Sequence, residues 1–186
     1  MNRFILKLKW KLWELKNLPK ATYLCIRFPF LKFDYRKNRF FQTSCWLFSM
    51  PIGWRKAFGI QMCKEIKHSL LKTGGKTALK NYCINDIKEK FGGLRWYDSY
   101  STKDIQKIIC KYEYISYHTC IICGELATVQ TTGWICPYCD EHIPEHQNYI
   151  HFGHKNGTGW YDWNGNMDNV SKEIWDAEEE LLNNKP

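Results

Sequence analysis

No run of this chain approaches the roughly 20 consecutive apolar residues of a membrane-spanning helix, so no span is expected. A secretory signal is not expected either. The opening residues MNRFILKLKWKLWELK are apolar but broken by Lys7, Lys9 and Lys11, which leaves no continuous apolar centre. There is no internal repeat and no low-complexity run. The nine cysteines are odd in number and four have metal-ligand spacing, so they do not read as a disulfide framework. A reducing cytoplasm with free thiols is the expectation. Acids are scarce early: residues 1–60 hold 13 Lys/Arg against 2 Asp/Glu, whereas residues 111–186 hold 4 against 12.

What is present in excess is aromatic and basic. Aromatics make up 16% of the 186 residues, with 9 Trp, and the formal net charge is +8. A basic first half fits an anionic partner: nucleic acid, a nucleotide or a membrane surface. The other reading is that the basic and acidic parts complement each other within one fold or across a dimer. Oligomeric state is not legible.

Residues 6–12, LKLKWKL, alternate apolar and basic, which is strand periodicity. A basic amphipathic helix on a membrane is the rival, disfavoured because a helix spreads strictly alternating lysines around its circumference. Pro19 is expected to end the element. Residues 23–48 mix aromatics with basic residues and read as two strands joined by a turn at DYRKNRF, so residues 1–50 form a basic, aromatic, β-rich segment.

Residues 51–117 are expected to be an α+β core. A helix runs from Pro51 to about Leu71, with Trp54, Phe58, Met62, Ile66 and Leu70 as its stripe, widened by Ala57 and Leu71. The glycine pair in KTGGK ends it; the pattern lacks the upstream glycine of a phosphate loop. In INDIKEKFGGLRWYDS, alternation on either side of Gly92-Gly93 predicts a β-hairpin with those glycines as its two-residue loop; a helix capped by the glycines is the runner-up, since Ile84, Ile87 and Phe91 also fit helical spacing. A helix follows from about Thr102 to Tyr117, capped by Ser101 with Asp104 returning the bond. Residues 148–186 hold an aromatic loop and an acidic helix over about 167–183.

Residues 118–147 carry the clearest chemistry. Cys120 and Cys123 followed by Gly124 form a knuckle in which two thiolates converge. Cys136, Cys139 and His142 lie beyond a hairpin turning at Thr131–Gly133. Soft thiolates with an imidazole in a tetrahedral site suit zinc. Spacing leaves five donors for four positions: Cys136 and Cys139 form the obvious second pair, while Cys139 and His142 share one face of a helical turn. Four protein donors leave no open position for water, so the ion reads as structural, not catalytic.

The stretches GWRKAFG, IKEKFGGLRWY and SYHTCIICG…GWICPYCDEH resemble a widespread family of uncharacterised bacteriophage and prophage proteins over about residues 51–143. The resemblance implies Cys120, Cys123, Cys139 and His142 as the ligands, with Cys136 as an unbound neighbour.

The expected fold is α+β: a small antiparallel sheet with packed helices, plus a zinc-ribbon or treble-clef-like lobe. The expected function is that of a zinc-stabilised, non-enzymatic phage-type accessory protein. It binds an anionic nucleotide-like ligand, such as a host defence signalling nucleotide held by sequestration, or nucleic acid. Lys88, Lys90, Arg95, Trp96 and Tyr97 are the candidate ligand-binding residues, since stacking plus charge on a rigid hairpin suits a base and a phosphate. The alternative for Trp96 is a place in the core. A protein-interaction module docking on a host protein through Trp160–Trp163 is the second expectation. A His-Asn-His-like nuclease drawing on DEHIPEHQN and on His151 and His154 is the third. No catalytic residue is assigned, and Cys63 and Cys83 are read as core.

Overall fold

The computed structural model describes residues 3–33 and 42–151. The DYRKNRF turn, His154, the Trp160–Trp163 loop and the acidic 167–183 helix lie outside the described residues. The architecture is α+β, with helices packed on small antiparallel sheets.

The strand expected at residues 6–12 is a helix: α1 spans Arg3–Arg27. Seven alternating residues specify a strand only if turn residues bound them. Here Leu, Lys, Trp and Glu, all compatible with a helix, run on with no glycine. Ala21, Leu24, Cys25 and Phe28 then return to the core at helical intervals. Pro19 does not end α1; it deletes the bond to the Leu15 carbonyl and the helix continues. The two strands expected in 23–48 are not found among the described residues, which form the end of α1 and two short 3-10 turns, Pro29–Leu31 and Trp46–Ser49. The aromatic content that suggested strands is used for packing: Phe28 and Phe30 enter the core, and Phe30 meets Tyr82 edge-on at 5.5 Å.

A second helical run follows as α2 (Ile52–Trp54), a π-helical turn (Arg55–Gly59) and α3 (Ile60–Asn81). Trp54, Phe58, Met62, Ile66 and Leu70 are all buried, as the four-residue spacing requires, whereas Ala57 and Leu71 are exposed. A strict four-residue repeat drifts around an ordinary α-helix. The wider π turn between Trp54 and Ile60 offsets part of that drift. Gly75 breaks the helical geometry with φ 60°, after which the helix resumes to Asn81. The glycine pair is therefore an internal break, not the end.

The hairpin forms as expected, from β1 (Cys83–Lys90) and β2 (Gly93–Ser99) in antiparallel register. Its loop lies one residue earlier than the glycines suggest: Lys90 pairs with Gly93, and Phe91 and Gly92 are the turn, with φ 54° and 77°. Gly93 is needed for a different reason, because a Cβ there would sit 2.4 Å from the Tyr117 ring. A register shift between Ile84 and Asp86 inserts Asn85 as a bulge. It allows Ile84 and Ile87, three apart, both to face the core.

Helix α4 (Lys103–Tyr117) closes the layer, capped by Thr102, whose hydroxyl accepts from the Ile105 amide, in place of Ser101. It lies along the open edge of β2, where the Leu94 amide donates to Ser116 Oγ (2.7 Å) and the Trp96 amide to Glu113 Oε1 (3.1 Å). An unpaired strand edge is thus satisfied by side chains. Glu65 joins α3 to α4, accepting from Lys111 (2.7 Å), Tyr112 (2.7 Å) and Gln61 (3.1 Å). Burial pushes its carboxyl up, but these three donors prevail and hold it below the ordinary range. Stability from Glu65 is therefore present above the ordinary carboxylate range and lost as pH falls through the depressed folded value. Glu65→Gln is expected to cost about 1–3 kcal/mol at neutral pH and to flatten the acid limb of urea-unfolding stability against pH.

Candidate functional site

The knuckle begins where α4 ends. Cys120 N donates to the Glu125 carbonyl (2.8 Å), Gly124 N donates to the Cys120 carbonyl (3.0 Å), and Glu125 N approaches Cys123 Sγ at 3.5 Å. Gly124 has φ 93°, which a side chain rarely adopts. The chain then forms β3 (Val129–Thr131), turns through Gly133, and returns as β4 (Pro137–Tyr138). A single 3-10 turn, Asp140–His142, follows, its closing bond running from His142 N to the Cys139 carbonyl (2.9 Å).

These elements bring Cys120, Cys123, Cys139 and His142 together, with their ligand atoms all within 4.8 Å of one another. Cys123 Sγ lies 3.5 Å from Cys139 Sγ, and Cys139 Sγ lies 3.1 Å from His142 Nδ1. A tetrahedral site with metal–sulfur bonds of about 2.3 Å has edges of about 3.8 Å, so the donor set fits a metal ion. Burial works against charge on Cys120, yet the amides of Cys123, Cys139 and Ile122 hold its thiol below the ordinary range. Burial, then Cys123 and Cys120, push Cys139 up to about 12. A positive ion at the centre would offset the charge of these sulfurs as thiolate ligands.

Cys136 is not in the group, and the backbone explains why. The segment from Cys136 to Cys139 is extended through β4, and residues three apart on an extended strand point to opposite sides. Cys136 is instead fixed from behind: its amide donates to Thr131 Oγ1 (2.9 Å) and its carbonyl accepts from Thr131 N (3.0 Å). Burial raises its thiol to about 11, with Glu89 of β1 adding to the rise. The 3-10 turn does the opposite for Cys139 and His142, wrapping a three-residue interval back onto one side.

The knuckle is built into the core. Gly53 N donates to the Ile121 carbonyl (3.0 Å), and Ile121 N donates to the Pro137 carbonyl (3.0 Å), so one residue of the knuckle is held between α2 and β4. Trp54, fully buried, donates from Nε1 to the Thr119 carbonyl at 2.8 Å. A Cβ on Gly53 would fall 2.1 Å from the Cys120 carbonyl oxygen, and one on Gly124 would fall 2.6 Å from the Gly53 carbonyl oxygen. No break in packing separates residues 51–117 from 118–147, and the described residues up to Tyr149 belong to one compact unit.

On the hairpin, Lys88, Lys90 and Tyr97 are exposed and Arg95 is half-buried. Lys88 Nζ lies over the Tyr97 ring at 5.0 Å and also pairs with Asp86. Lys90 Nζ lies over the Phe91 ring at 5.3 Å. Arg95 is committed to Tyr117, donating to its hydroxyl at 2.6 Å. Trp96 does not join them: it is 4% exposed, in the core, with Nε1 donating to the Tyr82 hydroxyl (3.0 Å), which itself donates to Asp98 (2.6 Å). Strand alternation places Leu94 and Trp96 inward and Arg95 and Tyr97 outward, so Trp96 offers no face to a base. Phe91, 65% exposed, is the aromatic that sequence reading missed. Its signal was the two-residue loop, read one position too late.

Of the nuclease residues, His142 belongs to the metal group, His146 and His151 are exposed, and His154 is outside the described residues. Cys63 is buried as expected, while Cys83 is half-buried. Among the described residues no helix is long and apolar enough to cross a membrane. No protein-family model, no curated protein and no solved structure matches this chain.

Proposed function

We propose that the chain is a zinc-stabilised, non-enzymatic binding protein of the phage-accessory kind, and that the outer face of the β1–β2 hairpin holds an anionic, base-containing ligand. Zinc is the ion best matched to three thiolates and an imidazole, and four protein donors leave no position for a reacting water. The role left to the metal is to fix the lobe against the core.

One observation carries the ligand reading: two lysine–ring pairs, Lys88 with Tyr97 and Lys90 with Phe91, stand on the solvent side of one rigid hairpin. A ring gives a base a stacking surface, and an adjacent ammonium meets the phosphate. Tyr97 and Phe91, 43% and 65% exposed, have ring area available. Without turnover, such a protein acts by sequestering what it holds, a host signalling nucleotide or a nucleic-acid strand.

The test is fluorescence anisotropy with a labelled single-stranded oligonucleotide and with a labelled nucleotide, repeated across added salt. A phosphate-bearing partner weakens steeply as salt rises. Tyr97→Ala and Phe91→Ala are each expected to weaken binding by about tenfold. Binding that is indifferent to salt and to both substitutions overturns the reading.

A further inference from the structure

Helix α1 carries a second surface, on its own side of the molecule's chemistry and independent of the hairpin. Leu12, Leu15, Tyr23 and Ile26 are 58%, 66%, 55% and 61% exposed. At 3.6 residues per turn they share one stripe roughly 80° wide. The residues that anchor α1, namely Ala21, Leu24, Cys25 and Phe28, lie about 180° away on the same wheel and are buried. The apolar stripe is therefore not a core face left slightly open; it points directly away from the core. Lys9, Lys16, Lys20 and Arg27 are all exposed and fall within roughly 40° of one another along one border of the stripe, with Lys11 on the other border. Arg27 is steadied by a bond to the Tyr23 hydroxyl at 2.7 Å.

We propose that α1 is an interfacial helix that lies on an anionic lipid surface, its Leu12–Ile26 stripe entering the headgroup boundary and its lysines meeting lipid phosphates. Charge complementarity selects the partner: α1 holds seven basic residues and one acid. Two features separate lipid from other partners, and a third sets how the helix sits on it. Nucleic acid rewards the lysines but gives nothing to leucine and isoleucine in the middle of the face, whereas a bilayer boundary takes both. A protein groove that wraps a helix needs most of its circumference, and from Ala21 onward the opposite side of α1 is occupied by the core; a planar surface needs only the free side. The lysines also keep α1 from being a spanning segment, so it rests on the surface. Lys9 and Lys11, two of the lysines that suggested a strand in the sequence, fall on the helix at the two borders of one apolar stripe.

The full-length protein is mixed with phosphatidylcholine vesicles and with phosphatidylcholine–phosphatidylglycerol vesicles, and the bound fraction is read by flotation. Binding to the anionic vesicles and at least about tenfold less to the neutral ones is expected. The double variant Leu12→Gln, Leu15→Gln, both exposed positions that leave the core intact, is expected to lose about tenfold or more in partitioning. Lys16→Glu with Lys20→Glu is expected to lose a similar factor. Circular dichroism confirms that each variant keeps its helix. The proposal is overturned by absence of binding to anionic vesicles. It is equally overturned if the leucine variant binds like the parent while salt removes binding, which marks a purely electrostatic, nucleic-acid-like surface. Equal binding to neutral vesicles, which leaves the lysines without a role, also overturns it.

Discussion

Cys139→Ser is expected to abolish stoichiometric binding of the metal ion, proposed above to be zinc, and to unfold the segment from the knuckle to β4, while Cys136→Ser is expected to retain one ion per chain. The two cysteines lie three residues apart, and chemistry alone does not distinguish them. Geometry does: Cys139 Sγ is within 3.5 Å of Cys123 Sγ and 3.1 Å of His142 Nδ1, and Cys136 sits across the strand. Structural zinc sites contribute on the order of 10 kcal/mol to folding in small domains. That is comparable with the whole margin of about 5–15 kcal/mol by which a domain is stable. Metal analysis by mass spectrometry and thermal unfolding with and without a chelator check both variants. Equal zinc loss from the two would place Cys136 in the site and remove His142 as the fourth donor.

Trp54→Ala is expected to be the next most damaging change. Removing a fully buried tryptophan costs about 3–5 kcal/mol, and the Thr119 carbonyl loses its donor, worth about 1–3 kcal/mol if it stays buried. The effect should reach the metal as well, because Thr119 immediately precedes Cys120. Zinc affinity is therefore expected to fall together with global stability. Trp134→Ala is the milder comparison: Trp134 is exposed at the tip of the β3–β4 turn and its side chain bonds to Cys136, so its loss is expected to cost about 1 kcal/mol. Gly53→Ala separates the two contributions, since it leaves the indole in place but drives a methyl into the Cys120 carbonyl. Urea unfolding followed by tryptophan fluorescence measures all three. A stable Gly53→Ala protein with unaltered zinc content would show that the knuckle does not depend on its seat against α2.

Local spacing carried some elements through and misplaced others. The Trp54–Leu70 stripe and the hairpin were legible because a periodic pattern was bounded by proline or glycine. The hairpin loop was misjudged by one position. Glycines mark a need for space as readily as a positive φ, and Gly93 makes room for Tyr117 from a helix more than twenty residues away. The α1 helix was illegible for a related reason. Its seven alternating residues match a strand as well as a helix, and only the anchors from Ala21 to Phe28 favour the helix. Trp96 was ambiguous because alternation tells which residues share a face and not which face is covered.

The amino-acid order by itself determined the donor types, the knuckle, the hairpin and the uneven charge, since each depends on neighbours within a few positions. Which four of five donors converge, which aromatics remain in solvent, and which side of α1 is free were decided only when distant segments met. Those outcomes depend on where the chain bends back on itself: a 3-10 turn after Cys139, α4 along β2, and two glycines that let the Gly53 and Cys120 backbones touch.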